Sequence, residues 1–183
     1  MSKKRPKKMS DAQLKVVGIA IGRSASVSEI ARGTPPRLNL TVEVENQGDS
    51  PLFVWADCRA RKYESATHTL SVQLAEPIIT LPPHIKIISD HPRLPVQVAV
   101  EARSRGKIKL QIPGTVRRLT PGQGLGRSFV DEPMGPVDRV EIAIQYATET
   151  IQYQLGEAAP DFRKRLRAHG NVVRATITPT AGT

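Results

Sequence analysis

The stretch RLNLTVEVE, residues 37–45, decides the fold class. Its apolar residues stand at every second position, at Leu38, Leu40, Val42 and Val44. Polar residues fill the positions between them. Because successive side chains of an extended chain point to opposite faces, this pattern predicts a β-strand with one buried face.

The same alternation recurs along the chain and yields about nine candidate strands. The other alternating sets are Val17/Ile19/Ile21, Leu52/Val54/Ala56/Cys58/Ala60, Leu70/Val72/Leu74, Ile85/Ile87, Val96/Val98/Val100, Ile108/Leu110/Ile112, Val140/Ile142/Ile144/Tyr146 with Ile151/Tyr153/Leu155, and Val173/Ala175/Ile177. Turn-forming residues separate them, as in residues 46–49 (NQGD), and their spacing suits hairpins and meanders. The predicted fold is all-β, an antiparallel sandwich of immunoglobulin-like or jelly-roll-like type.

Helical periodicity is scarce. Residues 159–169 predict one short helix, in which Pro160 occupies an early position and Gly170 closes the end. Residues 26–32 are compatible with either a helix or a loop.

Length and charge set the domain organisation. With 183 residues, 39% hydrophobic and 24% charged, the chain has the composition of one folded domain, predicted over residues 13–183. Residues 1–12 are predicted to be a flexible basic arm. The formal net charge is +10, and the arm supplies five cations, Lys3, Lys4, Arg5, Lys7 and Lys8. Such a charge favours encounter with polyanions, or serves solubility alone.

The predicted compartment is the cytoplasm or the interior of a particle that the protein helps to form. The apolar run after the arm is too short for a signal peptide, and none approaches the roughly 18 residues of a membrane span. The single cysteine, Cys58, has no partner for an internal disulfide.

Residues 41–59, TVEVENQGDSPLFVWADCR, resemble bacterial immunoglobulin-like modules of the kind found in adhesion-related and arrestin-like sandwiches. In those modules an alternating strand ends at an Asn-x-Gly turn, and the next strand follows a small residue or a proline. The resemblance covers about twenty residues and implies a fold without an activity. The chain departs from the antibody type because it lacks a cysteine pair, and because residues 115–136 are longer than a compact seven-stranded module needs.

No motif predicts catalysis, a metal site or a cofactor. The four histidines, His68, His84, His91 and His169, show no ligand spacing. Cys58 shares the alternation of its apolar neighbours, which predicts a small inert core residue. The segment PGQGLGRS, residues 121–128, lacks the Lys-Ser/Thr pair of a phosphate-binding loop and is predicted to be a surface loop.

Three groups of residues are candidates for binding. The first is Phe53, Trp55, Arg59 and Arg61, whose positions alternate against the apolar face of their predicted strand. They form either an outward interface for a protein or a single-stranded nucleic acid, or a face covered by another part of the chain. The second is Arg163, Lys164, Arg165 and Arg167, which either clamp phosphates or solvate a helix docked by Phe162 and Leu166. The third is Arg103, Arg105, Lys107 and Lys109, a one-sided strand that provides either an electrostatic footprint or edge protection.

These features favour a non-enzymatic interaction or structural module that binds a protein partner or assembles with itself. The alternative is a polyanion-binding, coat-like protein whose basic arm neutralises nucleic acid. A hydrolase on a β-sandwich is the remaining possibility. No small-molecule substrate is predicted.

Overall fold

The computed structural model of the protein describes residues 13–25, 30–33, 35–77, 93–121 and 127–182. Twelve strands and a helix near the C-terminus lie in them: β1 (Leu14–Ser24), β2 (Arg37–Asn46), β3 (Leu52–Trp55), β4 (Ala60–Glu64), β5 (Thr69–Leu74), β6 (Gln97–Val100), β7 (Arg105–Ile112), β8 (Thr115–Pro121), β9 (Arg127–Pro133), β10 (Arg139–Ala147), α1 (Ala159–Ala168), β11 (Asn171–Ile177) and β12 (Thr180–Ala181). The predicted arm and the strand predicted at Ile85 and Ile87 lie outside the described residues.

The strands form two main sheets and a separate hairpin. The first sheet has the order β12-β1-β2-β7, and the second has the order β4-β5-β10-β3-β6. Strand β11 lies along the opposite edge of β10 from β5, because residues 140–144 pair with both strands. Strands β8 and β9 pair with each other. The all-β prediction is confirmed, although the β1–β12 and β5–β10 pairs are parallel, so the sheets are not purely antiparallel.

One hydrophobic cluster contains side chains of both sheets, which is the layered arrangement that the alternation predicts. Strand β2 follows the prediction at every position, since all four of its apolar residues are at most 1% exposed. In β1 the register shifts between Val16 and Gly18. This bulge changes which residues face inward, so the buried set is Leu14, Val16 and Ile19 rather than the predicted Val17, Ile19 and Ile21.

Asn46 fixes the passage from one sheet to the other. The sequence predicts a hairpin turn here, but β2 and β3 belong to different sheets. The fully buried Asn46 side chain accepts a hydrogen bond from the Gly48 amide at 2.9 Å. Its Nδ2 donates to the carbonyls of Ser50, Val100 and Glu101 at 2.8–3.1 Å. The local turn is therefore of the predicted kind, while the strands that it joins are not paired.

The second sheet is buried on both faces where β10 ends. Residues 139–142 alternate between exposed and buried, whereas residues 143–147 are all buried. Helix α1 is fixed near this end of β10, because Gln145 Nε2 donates to the carbonyls of Leu166 and His169, both at 2.6 Å. Phe162 and Leu166, at most 1% exposed, belong to the same cluster as the core.

The predicted helix is confirmed, whereas the strand predicted at residues 151–155 does not form. Helix α1 has a proline in its first turn, and it ends before Gly170. Gly170 has a φ of +75°, and a Cβ there would overlap the carbonyl of Tyr146, so the position requires glycine. Residues 151–155 form no strand, and the backbone of Ile151 hydrogen-bonds instead to the side-chain amide of Gln97 at 3.1–3.2 Å.

We expect Asn46→Ala to lower the free energy of unfolding by about 3 kcal/mol, because the buried Val100 carbonyl and three partly buried backbone groups would lose their partner. Urea denaturation measures this loss. Asn39→Ala is the matched control on the same strand, where the side chain is partly exposed, and it should cost less than about 1 kcal/mol. Equal losses for the two variants would contradict the role given to Asn46.

Candidate functional site

Trp55 lies in the interior, which agrees with the second of the two alternatives for its group, a face covered by another part of the chain. Its exposed fraction is 0%. The prediction extended one alternation from Leu52 to Arg61, but β3 ends at Trp55 and β4 begins only at Ala60. Alternation holds only within a continuous strand. The sequence therefore assigned Trp55 correctly to the second face of β3 without showing that this face is covered.

The cover comes from the segment that precedes α1. Trp55 pairs in register with Gln97 of β6. The side-chain amide of Gln97 holds the backbone of Ile151, so this segment passes over the second face of the sheet. Phe53 shares the face with Trp55 and is half-buried. An aromatic pair presented to solvent is thus absent from this face.

The Arg59 side chain is also buried, with 8% of it exposed. Its guanidinium carbon lies 5.2 Å from the centroid of the Trp55 ring, a cation–π contact. Its Nε lies 3.0 Å from Asp57 Oδ2, and its Nη1 donates to the carbonyl of Arg93 at 2.8 Å. Asp57 in turn accepts a hydrogen bond from the Val96 amide at 3.0 Å.

A second pair extends this network to the helix. Glu76 Oε2 lies 4.0 Å from Arg59, and Glu76 Oε1 lies 3.6 Å from Arg163 Nε. The Glu76 side chain is only 7% exposed. Four buried nitrogens have no hydrogen-bond partner within the described structure: Trp55 Nε1, Arg59 Nε, Arg59 Nη2 and Arg163 Nε. Two cations and two carboxylates thus balance one another, and the network joins β3, the connections that follow β3 and β5, and α1 as a structural unit.

Arg61 lies apart from the other three residues of the first group. It is exposed on β4, which is separated from β3 by β5 and β10 in the sheet order. Its Nη2 donates to the carbonyl of Thr115 at 3.4 Å. The structure therefore brings Trp55 and Arg59 together in the interior and leaves Arg61 on another surface. That the four residues bind a partner stays a prediction.

The basic strand is confirmed as one-sided within β7. Arg105, Lys107 and Lys109 are exposed on one face, and Ile108, Leu110 and Ile112 are buried on the other. Arg103 precedes the strand in a turn, with a φ of +52° and an ion pair to Asp49. Strand β7 is the last strand of its sheet among the described residues, which is where edge protection is needed.

Acidic residues of β2 compensate part of this charge. Lys107 Nζ lies 3.0 Å from Glu43, and Arg105 Nε lies 3.4 Å from Glu45. Lys109 pairs in register with the uncharged Thr41. The face is therefore less positive than its sequence indicates, and polyanion binding by this group stays a prediction.

The basic helix docks as its apolar pair predicts, through Phe162 and Leu166. Its two inner arginines are engaged. Arg163 faces Glu76, and Arg165 binds Glu157 through Nε at 2.8 Å and Nη2 at 2.6 Å. The hydrogen bonds from Arg165 lower the pKa of Glu157, and those to Glu157 raise the pKa of Arg165. The exposed cations that remain for a polyanion are Lys164 and Arg167.

Reactive groups are few in the described part of the chain. Cys58 is half-buried and packs against the core, and burial raises the pKa of its thiol despite the opposing charge of Arg61. His68 Nδ1 lies 2.7 Å from Asp138 Oδ2 on the surface. His84 and His91 lie outside the described residues. Within the described ranges, no three His, Cys, Asp or Glu residues group as metal ligands, and no helix there is long and apolar enough to cross a bilayer.

Two surfaces were not singled out from the sequence. One is the edge of β6, where Leu94, Val96 and Val98 are exposed. Its sequence signal is the uncharged run LPVQVAV, residues 94–100. The other is a cleft between β4 and β8 that Arg61, Lys62 and Arg117 line together. It joins residues more than 50 positions apart, so local patterns contain no signal for it.

Arg59→Ala should lower the free energy of unfolding by about 3 kcal/mol, because the mostly buried Asp57 loses its cation and the buried Glu76 keeps only Arg163. Arg61→Ala removes the same side chain two positions away on the exposed β4, and it should cost less than about 0.5 kcal/mol. Chemical denaturation of the two variants measures the difference. If Arg59→Ala proves as mild as Arg61→Ala, Arg59 is not held in a buried network.

Comparison of the chain with protein family models, with curated proteins and with solved structures found no match. The functional conclusion therefore depends on the side chains, edges and clefts described above.

Proposed function

We propose that the protein is a non-enzymatic interaction module that binds an extended strand of another protein along the edge of β6. The observation that carries this proposal is the contrast between β6 and the other strands that end the two sheets. Among the described residues, β6 hydrogen-bonds to β3 on one side and ends the sheet order on the other. A strand in this position presents backbone amides and carbonyls that another strand can pair with.

Three of the other four strands at the sheet ends have features that discourage such pairing, while the fourth, β11 beyond β10, contains one charged residue, Arg174. Strand β7 exposes three cations, and β4 contains the charged residues Arg61, Lys62 and Glu64. Strand β12 is only two residues long. Charged side chains and very short strands are the usual protection of a sheet edge. Residues 94–100 around β6 contain no charge at all.

The apolar side chains at β6 suit a partner strand. Val96 is 59% exposed and Val98 is 37% exposed. Val98 pairs in register with Val54 and has the alternation of the buried Val100, so it belongs to the core-facing side of the strand. A strand added beside β6 would cover these valines and extend the core by one strand. Backbone hydrogen bonds would supply affinity, and the valines would select alternating aliphatic residues.

The charge around β6 indicates the composition of the partner. Residues 93–121 contain seven Lys or Arg and one Glu, so the uncharged strand lies in basic surroundings. A second copy of the chain would bring another net charge of +10 and repel the first. An aliphatic strand with acidic flanks complements both the edge and its surroundings.

The experiment uses two synthetic peptides with the same alternating Val-Thr centre, one with Asp-Glu flanks and one with Lys-Lys flanks. We expect the acidic peptide to bind the full chain and the basic peptide to bind at least tenfold more weakly, measured by fluorescence anisotropy. V98K should weaken binding of the acidic peptide by about tenfold, equivalent to about 1.4 kcal/mol of binding free energy. V172K is the matched control on β11, since Val172 is 38% exposed and Val98 is 37% exposed.

Equal weakening by V98K and V172K, or no binding of either peptide, would contradict the proposal. Sedimentation velocity separates the remaining interpretation: a concentration-dependent dimer that V98K abolishes would assign the β6 edge to self-assembly instead. Circular dichroism of each variant checks that the fold is retained.

A further inference from the structure

A second surface, independent of the β6 edge, lies at the opposite end of the second sheet. Between β4 and β8 is an open cleft of about 230 Å³. Its lining residues are Arg61, Lys62, Tyr63, Thr115, Val116, Arg117 and Met134. The two walls are distant in sequence, and the cleft exists only because the chain after β7 returns past the edge of β4.

The cleft concentrates positive charge that is only partly compensated. Arg117 is paired with Asp131 at 3.2 Å. Arg61 makes one long hydrogen bond, to the carbonyl of Thr115 at 3.4 Å, and retains most of its five N–H donors. Lys62 makes no hydrogen bond or ion pair with another described residue. The nearby Glu64 accepts a hydrogen bond from Thr67 at 3.0 Å.

The surroundings of the cleft are fixed in place by hydrogen bonds. Tyr63 donates its hydroxyl to the carbonyl of Pro136 at 2.8 Å. Arg23 Nη2 donates to the carbonyl of Gly135 at 2.6 Å, and the Met134 amide donates to the carbonyl of Gly114 at 2.7 Å. These hydrogen bonds hold the backbone around the cleft in place, so less conformational entropy is lost when a ligand binds.

We propose that this cleft binds the backbone phosphates of a single-stranded nucleic acid. The Arg61 fork matches the oxygens of a phosphate, and Lys62, the next residue of this edge strand, adds a second positive charge to the lining. Tyr63 also lines the cleft; its ring packs partly against the core, and the part that stays exposed is a surface that a base can contact, as in single-strand binding proteins. An acidic peptide would use the cations but not the ring. Five further cations in residues 1–9 add to the attraction of a long polyanion.

The test is the binding of a fluorescently labelled 20-nucleotide oligothymidylate to the full chain at several salt concentrations. The double variant R61Q/K62Q should bind about tenfold more weakly at low salt. The slope of log affinity against log salt should fall by about 1.4, since each lost contact to a single strand is worth about 0.7. The control K15Q/R174Q removes the same charge from two exposed positions outside the candidate basic groups and should change the affinity less than about threefold.

Tyr63→Leu separates stacking from charge, because it should weaken binding of the oligonucleotide while leaving the slope of log affinity against log salt unchanged. The proposal is overturned if both double variants weaken binding equally, which would show general electrostatic attraction without a site. It is also overturned if no binding occurs at low salt, or if polyglutamate of equal charge competes as well as unlabelled oligonucleotide, which would assign the cleft to acidic proteins. K62E, a single change at an exposed residue, replaces the double variant if thermal melting shows that the latter is unfolded.

Discussion

Burial of the second sheet on both faces is the constraint on which the rest of the structure depends. The first sheet covers one face of β10, and helix α1 with the segment before it covers the other face near the end of that strand. Gln145 joins the layers, since its side chain hydrogen-bonds both to the helix carbonyls and to the Glu76 amide. Because the second face is covered, Trp55 and Arg59 become interior residues. The surfaces left for recognition are then the sheet edges and the clefts between strands.

How much of this is readable in the sequence depends on whether a strand has one buried face or two. Strand β2 has a solvent face, and its alternation predicts every buried position. Strand β10 follows the same rule only until Ile142, after which a covering helix buries both faces. Sequence alternation reports that a side chain points away from the first core, but not whether another layer lies there. The alternation therefore identifies the face of β3 on which Trp55 lies and leaves open whether that face is covered.

Connections show a similar division between local and distant information. The turn after Asn46 and the end of α1 at Gly170 follow from local chemistry, and both are present. Which strands pair depends on contacts between distant residues, so the crossing between sheets at Asn46 was not predictable from the turn. The β7 cations were found because they lie within one strand. The cleft around Arg61 and Arg117 was not, because its walls come from separate elements. The uncharged run at β6 was visible in the sequence, but its meaning required knowing that the strand ends a sheet.

The most direct test of the account is the fluorescence of Trp55, the only tryptophan in the chain. If the second face of the sheet is covered, emission from the native protein should be shifted to shorter wavelength than that of the urea-unfolded chain, and iodide should quench it only weakly. Quenching by iodide as strong in the native as in the unfolded chain would show that Trp55 faces solvent. The buried network around Arg59 would then be contradicted as well.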